Sequence, residues 1–189
     1  MGPHILVVGG TGMLAGLVEA LAGDGGRLSL LSRRASAHGL PGRAFDCDYH
    51  DAAAFTAALD AAVAGQGPID LAVAWFHSLR LAAPRRLAER VGREGAPGRL
   101  FQVLGSGVAD PAKPGRLRFA AAVADGLPAC RLRQVVLGFR LADGGARWLT
   151  DAEISEGVLR AVRQDLPLSV VGVVEPWASR PPAPGAEAE

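Results

Sequence analysis

Lysine is almost missing from this sequence. Lys113 is the only one, so arginine carries nearly all the positive charge, and chemistry that needs a lysine amine has one place to be. Cysteine occurs twice, as Cys47 and Cys130. Two isolated thiols build neither a disulfide framework nor a four-cysteine zinc site, and the setting expected from them is a reducing, cytoplasmic one. Tyrosine occurs once, at Tyr49. No apolar run reaches the roughly 18–20 residues of a membrane span. The start Met1-Gly2-Pro3-His4 carries no basic leader and no cleavage site, and reads as lacking a signal peptide. A net charge of +1 gives no broad field for nucleic acid or an anionic membrane. Neither is an expected partner. Asp48-x-His50 is a pair of metal-ligand types without a third neighbour, and no metal site is expected.

What is present is an ordinary globular balance, 49% hydrophobic and 21% charged, enough for one core. Seven apolar runs read as strands, at 4–8, 27–31, 43–46, 69–74, 100–104, 134–139 and 168–173. Most are near-continuous Val, Leu and Ile, as in parallel strands buried on both faces. Helical patterns lie between them. Leu14, Leu17, Val18 and Leu21 form one apolar stripe. Phe55, Leu59 and Val63 follow a candidate N-cap at Asp51. Thr150-Asp151-Ala152-Glu153 is a capping box, with Leu149 and Ile154 placed as its staple and Pro167 expected to stop the helix. This alternation predicts an α/β fold: a Rossmann-type, doubly wound, mostly parallel sheet of about seven strands with helices on both faces. The predicted domain covers residues 1–178. Residues 179–189, rich in Pro, Ala and Glu, read as a disordered tail.

The first strand runs straight into Gly9-Gly10-Thr11-Gly12-Met13-Leu14-Ala15. The spacing fits G-x-x-G-x-x-A on Gly9, Gly12 and Ala15, and G-x-G-x-x-A on Gly10, Gly12 and Ala15. The first glycine permits a tight turn, Gly12 leaves room for a pyrophosphate, and Ala15 lets the helix pack close. The N–H groups at the helix start then face the phosphates. A purely structural glycine turn is the competing reading. No Gly-Lys-Ser/Thr follows, so this is not a Walker loop. The second strand ends in Ser32-Arg33-Arg34. An acidic residue there selects NAD; a guanidinium pairs with the 2′-phosphate of NADP. NADP is therefore the expected cofactor and NAD the alternative, against a plain basic turn. Asp48 is the candidate for the adenine amino group, or belongs to the turn before Asp51. Tyr49 falls on the same adenine side. Ala74 and Trp75, at the end of the fourth strand, complete the expected cofactor set of Gly9, Gly10, Thr11, Gly12, Met13, Leu14, Ser32, Arg33, Arg34, Asp48 and Tyr49.

Taken together, Val8 to Met13, Ser32-Arg33, the stretch 46–48 and a serine after the fifth strand resemble the short-chain dehydrogenase/reductase superfamily, in an atypical, shortened branch. The resemblance covers residues 1–177. Trp148-Leu149-Thr150 and Val174-Glu175-Pro176-Trp177 are similar to small bacterial proteins of that type. The resemblance implies a catalytic serine at Ser106 and a Tyr-x-x-x-Lys pair on the next helix. Phe119 and Val123 fall near those two places, and neither transfers a proton. Activity therefore cannot be inherited from the fold.

Two other residues fall at the carboxyl edge of the sheet, where ligands bind in such folds. His77 is a candidate proton donor, or a helix cap. Ser106, between Gly105 and Gly107, is a candidate contact for a substrate carbonyl, or a turn serine. The stretch 108–115 reads as a mobile loop. Trp148 and Trp177 line a cleft or serve the core. The expected function is an NADP-dependent oxidoreductase acting on a small carbonyl or alcohol substrate. The alternative is a non-catalytic NAD(P)-binding redox sensor. Oligomeric state is not legible.

Overall fold

A computed structural model describes residues 2–78, 82–142 and 144–182. In chain order its elements are β1 (His4–Val8), α1 (Ala15–Gly23), β2 (Arg27–Ser32), β3 (Arg43–Asp46), α2 (Ala52–Gln66), β4 (Leu71–Trp75), α3 (Ala83–Ala88), β5 (Gly98–Gly105), α4 (Arg116–Ala121), β6 (Cys130–Leu137), β7 (Phe139–Ala142), β8 (Gly145–Trp148), α5 (Asp151–Arg163) and β9 (Leu168–Val171). Seven strands form one sheet in the order β3-β2-β1-β4-β5-β6-β9, and every pairing in it is parallel. The order reverses between β1 and β4. Val8 sits opposite Leu31 of β2 and Ala74 of β4, so the chain leaves all three strands at one level, at Gly9, Ser32 and Trp75.

Helices cover both faces because the strands are apolar on both. On one face α1 and α5 pack Leu17, Val18, Leu21, Val158 and Ala161 against Val7, Leu30, Val73 and Phe101. On the other, Phe55 and Leu59 of α2 and Leu87 of α3 meet Leu6, Val8, Ala72 and Leu100. A fully buried side chain of this size contributes about 1.5–3 kcal/mol relative to exposure. Asp51 caps α2 through the N–H groups of Ala53 and Ala54, and the Thr150–Glu153 capping box is formed at α5. Arg140 and Arg147 both reach Glu153. Arg147, the Thr150 N–H and Arg140 hold its carboxyl well below the usual carboxylate range.

Several boundaries differ from the sequence expectation. The sixth strand stops at Leu137, and Phe139 starts a separate antiparallel hairpin, β7–β8. Gly138 marks the break, since a Cβ there would lie 2.0 Å from the Val173 carbonyl oxygen. The last strand ends at Val171, because Gly172 turns the backbone at φ 77°. Ile69 precedes β4 and makes an isolated bridge to Val91. Helix α5 ends before Pro167, where Asp165 takes a left-handed φ of 51° and its carboxylate accepts from Arg133. The helix after β5 is only six residues long, followed by one 3-10 turn at Ala122–Ala124. The expected tail begins at Ser179. Its first four residues are placed, and residues 183–189 lie outside the described residues. No helix among the described residues is long and apolar enough to cross a membrane.

Candidate dinucleotide and substrate clefts

The glycine loop connects β1 to α1 at the switch point. Gly9 takes φ 72°, a left-handed conformation that favours glycine, and a Cβ there would also press on the Trp75 carbonyl oxygen at 3.0 Å. Gly10 is needed for packing: its Cβ would lie 2.7 Å from Val7 Cγ1 and 3.2 Å from Val18 Cγ2. Gly12 differs from both, for a Cβ there meets nothing within 4 Å. The open space above Gly12 belongs to a cleft of about 250 Å³. Behind the loop, the Ser155 hydroxyl of α5 donates to the Met13 carbonyl at 2.8 Å.

That cleft is lined by Gly9, Thr11, Gly12, Ser32, Arg33, Arg34, His38, Tyr49, Trp75 and His77. Eight expected cofactor residues therefore share one wall. Of the rest, Gly10, Leu14 and Ala74 are buried behind it, and Met13 is held by Ser155. The Ser32 hydroxyl is buried at the cleft without a hydrogen-bond partner, a cost that a bound acceptor removes. Arg33 and Arg34 are exposed, and among the described residues no carboxylate pairs with either. Asp48 stands outside the lining. Its Oδ1 accepts from the His50 N–H at 2.9 Å and contacts His50 Nδ1 at 2.8 Å. Those bonds lower its pKa, with a smaller contribution from Arg33. Among the described residues no cluster of three or more metal-ligating side chains forms.

Beyond β4 the cleft meets a larger cavity of about 790 Å³, lined by Trp75, Phe76, His77, Ser78, Leu104, Gly105, Gly107, Val108, Arg116 and Phe119. Trp75 and His77 line both spaces. Their rings meet edge to face, centroids 5.7 Å apart. The imidazole thus borders both cavities.

No protein-family model matches the sequence, and no curated protein matches it significantly. Solved structures do. An L-sorbose reductase from Gluconobacter frateurii, complexed with NADPH and L-sorbose, superimposes with a TM-score of 0.69 over 93% of this chain and 98% of that one, at 14% identity. A short-chain dehydrogenase/reductase from Serratia marcescens gives 0.63 over 91% and 98%, at 18% identity. A 3-ketoacyl-(acyl-carrier-protein) reductase from Brucella melitensis, complexed with NADH, gives 0.60 over 89% and 96%, at 16% identity. The chain shares the fold of these structures, a Rossmann-type α/β sheet of seven parallel strands.

The residues at the places that the resemblance implies for catalysis lie as follows. Phe119, near the expected tyrosine place, does line the cavity and is 58% exposed. Val123 lies on the following 3-10 turn, outside the lining. Ser106 is 3% exposed, behind a wall formed by its neighbours Gly105 and Gly107. Its hydroxyl accepts from Arg180 Nε at 2.8 Å. The Arg180 guanidinium is stacked against Trp148 at 4.7 Å and Trp177 at 5.2 Å, and Trp148 Nε1 donates to the Pro182 carbonyl at 2.9 Å. The two tryptophans therefore grip the C-terminal segment. Sequence reasoning gave Arg180 no role because it lies in a Pro- and Ala-rich stretch. Arg116 had no signal at all, being one arginine among many.

Proposed function

We propose that this protein is an NADP-dependent oxidoreductase, working in the cytoplasm on a small carbonyl or alcohol substrate. The observation that carries the reading is the place of His77, the one imidazole that lines both the dinucleotide cleft and the larger cavity. Three features of the cleft support a dinucleotide there. Gly12 leaves open space for a pyrophosphate, the Ser32 hydroxyl is buried and unpartnered, and Arg33 and Arg34 offer guanidinium groups for a 2′-phosphate. NAD is the alternative cofactor, distinguished by that phosphate. Buried free thiols support the cytoplasmic assignment. Burial pushes both Cys47 and Cys130 up to about 11.

When bound, NADP(H) supplies or takes up a hydride. The chain's residues do the rest. Trp75, Phe76 and Phe119 wall the reacting space with apolar rings. His77 gives a proton to the substrate oxygen in reduction and takes it back in oxidation, a task suited to imidazole near neutrality. Ser106 acts from behind the wall, its bond to Arg180 fixing the turn that carries Gly105 and Gly107.

A second reading, a non-catalytic NAD(P)-binding redox sensor, is favoured by Phe119, a hydrocarbon at the cavity wall. One experiment separates the two. NADPH binding is titrated, carbonyl compounds are then screened by NADPH oxidation, and His77→Ala is compared with the parent. The oxidoreductase reading expects turnover to fall about 10²–10⁴-fold in His77→Ala, with NADPH affinity nearly unchanged. Firm NADPH binding without turnover across the screen selects the sensor, and turnover that survives the substitution removes His77 from the chemistry.

A further inference from the structure

We infer that the larger cavity selects an aromatic carbonyl compound carrying one carboxylate, with Arg116 pairing with the anion and Phe119 against the ring. The inference rests on the oxidoreductase reading of the same site. Aromatic residues are scarce here, six Phe, three Trp and one Tyr, yet Trp75, Phe76 and Phe119 all line this one cavity. At about 790 Å³ it lies in the range of small-ligand sites, roughly 300–1,000 Å³. Phe119 is 58% exposed, the most exposed of the chain's large hydrophobic side chains among the described residues. A ring laid on it gains both burial and an aromatic contact.

Among the described residues Arg116 is the only one of the lining with a permanent charge. It lies three residues before Phe119 on α4, so both side chains project from one side of the helix. One of its N–H groups donates to the Gly107 carbonyl at 3.2 Å, anchoring the guanidinium at the cavity wall. Among the described residues no carboxylate forms an ion pair with it, and none lines the cavity. A fixed guanidinium with free N–H groups matches a carboxylate. A single cation balances a single negative charge, which favours a carboxylate over a phosphate dianion. Aromatic walls, one imidazole and one arginine together describe a ring, a carbonyl and an anion.

The test is calorimetric titration of the full chain, with and without NADPH, using three probes and 4-acetylphenyl phosphate as the competing anion. 4-Acetylbenzoate has ring and anion, its methyl ester has the ring alone, and levulinate has the anion alone. 4-Acetylbenzoate is expected to bind tightest. Arg116→Gln should weaken it about tenfold and leave the ester unchanged. Phe119→Ala should weaken 4-acetylbenzoate and the ester alike, about threefold to tenfold, and levulinate little. Arg118→Gln, exposed on the same helix and outside the lining, is the control, and melting curves confirm that each variant folds. Equal affinity for acid and ester, no loss in Arg116→Gln, or tighter binding of 4-acetylphenyl phosphate overturns the inference. Arg116-dependent binding without any NADPH oxidation upholds the binding site and removes the oxidoreductase reading instead.

Discussion

Valine at position 12 and alanine at position 10 should have opposite consequences, although the two glycines are only two residues apart. At Gly12 a Cβ has no neighbour within 4 Å, so the branch point of the added side chain meets no protein atom there. Its backbone is outside the left-handed region. Loss of glycine's freedom in the unfolded chain even favours Gly12→Val by about 0.4–1 kcal/mol. At Gly10 the new Cβ would stand 2.7 Å from Val7 Cγ1, between a core strand and α1. Overpacking of this kind costs about 1–3 kcal/mol. For a domain of this size that lowers the melting temperature by roughly 2–12 °C, at about 2–4 °C per kcal/mol. Binding should divide the other way. In Gly12→Val the branched side chain fills the space for the pyrophosphate, and each charge-assisted hydrogen bond lost there removes about 1.5–3 kcal/mol. NADPH affinity should fall by about two orders of magnitude or more. The assay is a thermal melt of each variant beside an NADPH fluorescence titration. Gly12→Val that melts like the parent and binds NADPH normally would refute the placement of the pyrophosphate.

Arg33→Ala should weaken NADPH about tenfold or more, from the loss of a contact to phosphate of roughly 1.5–3 kcal/mol, and leave NADH nearly unchanged; equal losses in parallel titrations would show that Arg33 does not read the 2′-phosphate. A pH effect should come from His4, which is fully buried with Nδ1 at 2.7 Å from the Gly67 carbonyl and Nε2 at 2.9 Å from the Ser29 hydroxyl. The carbonyl can only accept, so Nδ1 carries the proton and Nε2 accepts from Ser29. Burial holds the His4 pKa below its ordinary 6.5. The unfolded chain therefore takes up a proton first as pH falls, and stability is full above about 6.5, declines below it, and levels once the folded state is protonated too. Urea midpoints should show this decline in the parent and a shallower one in His4→Gln; identical pH profiles for the two would assign the effect elsewhere.

The sheet was legible in the sequence because its strands are apolar on both faces, and the glycine loop because its spacing is dictated by backbone approach. Thr150 and Asp51 announced their helices for a similar reason, since caps depend on local hydrogen bonds alone. The β7–β8 hairpin was not legible. Phe139 continues the apolar run of β6, and only the close approach of Val173 to Gly138 shows where the chain leaves the sheet. The strand ends they follow were enough to group Ser32, Arg33 and Tyr49, which line one cleft. The place of Ser106 after the fifth strand was legible, but its partner Arg180 lies 74 residues away, and no local pattern encodes that contact. That His77 lines both cavities is likewise a property of the assembled sheet edge.

The bond from Ser155 to the Met13 carbonyl spans 142 residues. A Cβ on Gly16 would come within 3.3 Å of Ser155 Cβ, so the helix that opens the glycine loop and the last helix are fitted to each other. During synthesis the loop is made 142 residues before its support. At about 5–20 residues per second the delay is on the order of 7–28 s. Through that interval the nascent chain carries the glycine motif without the helix that steadies it, and the switch-point crevice lacks its backing on one side. The crevice thus gains its full backing only after translation has passed α5.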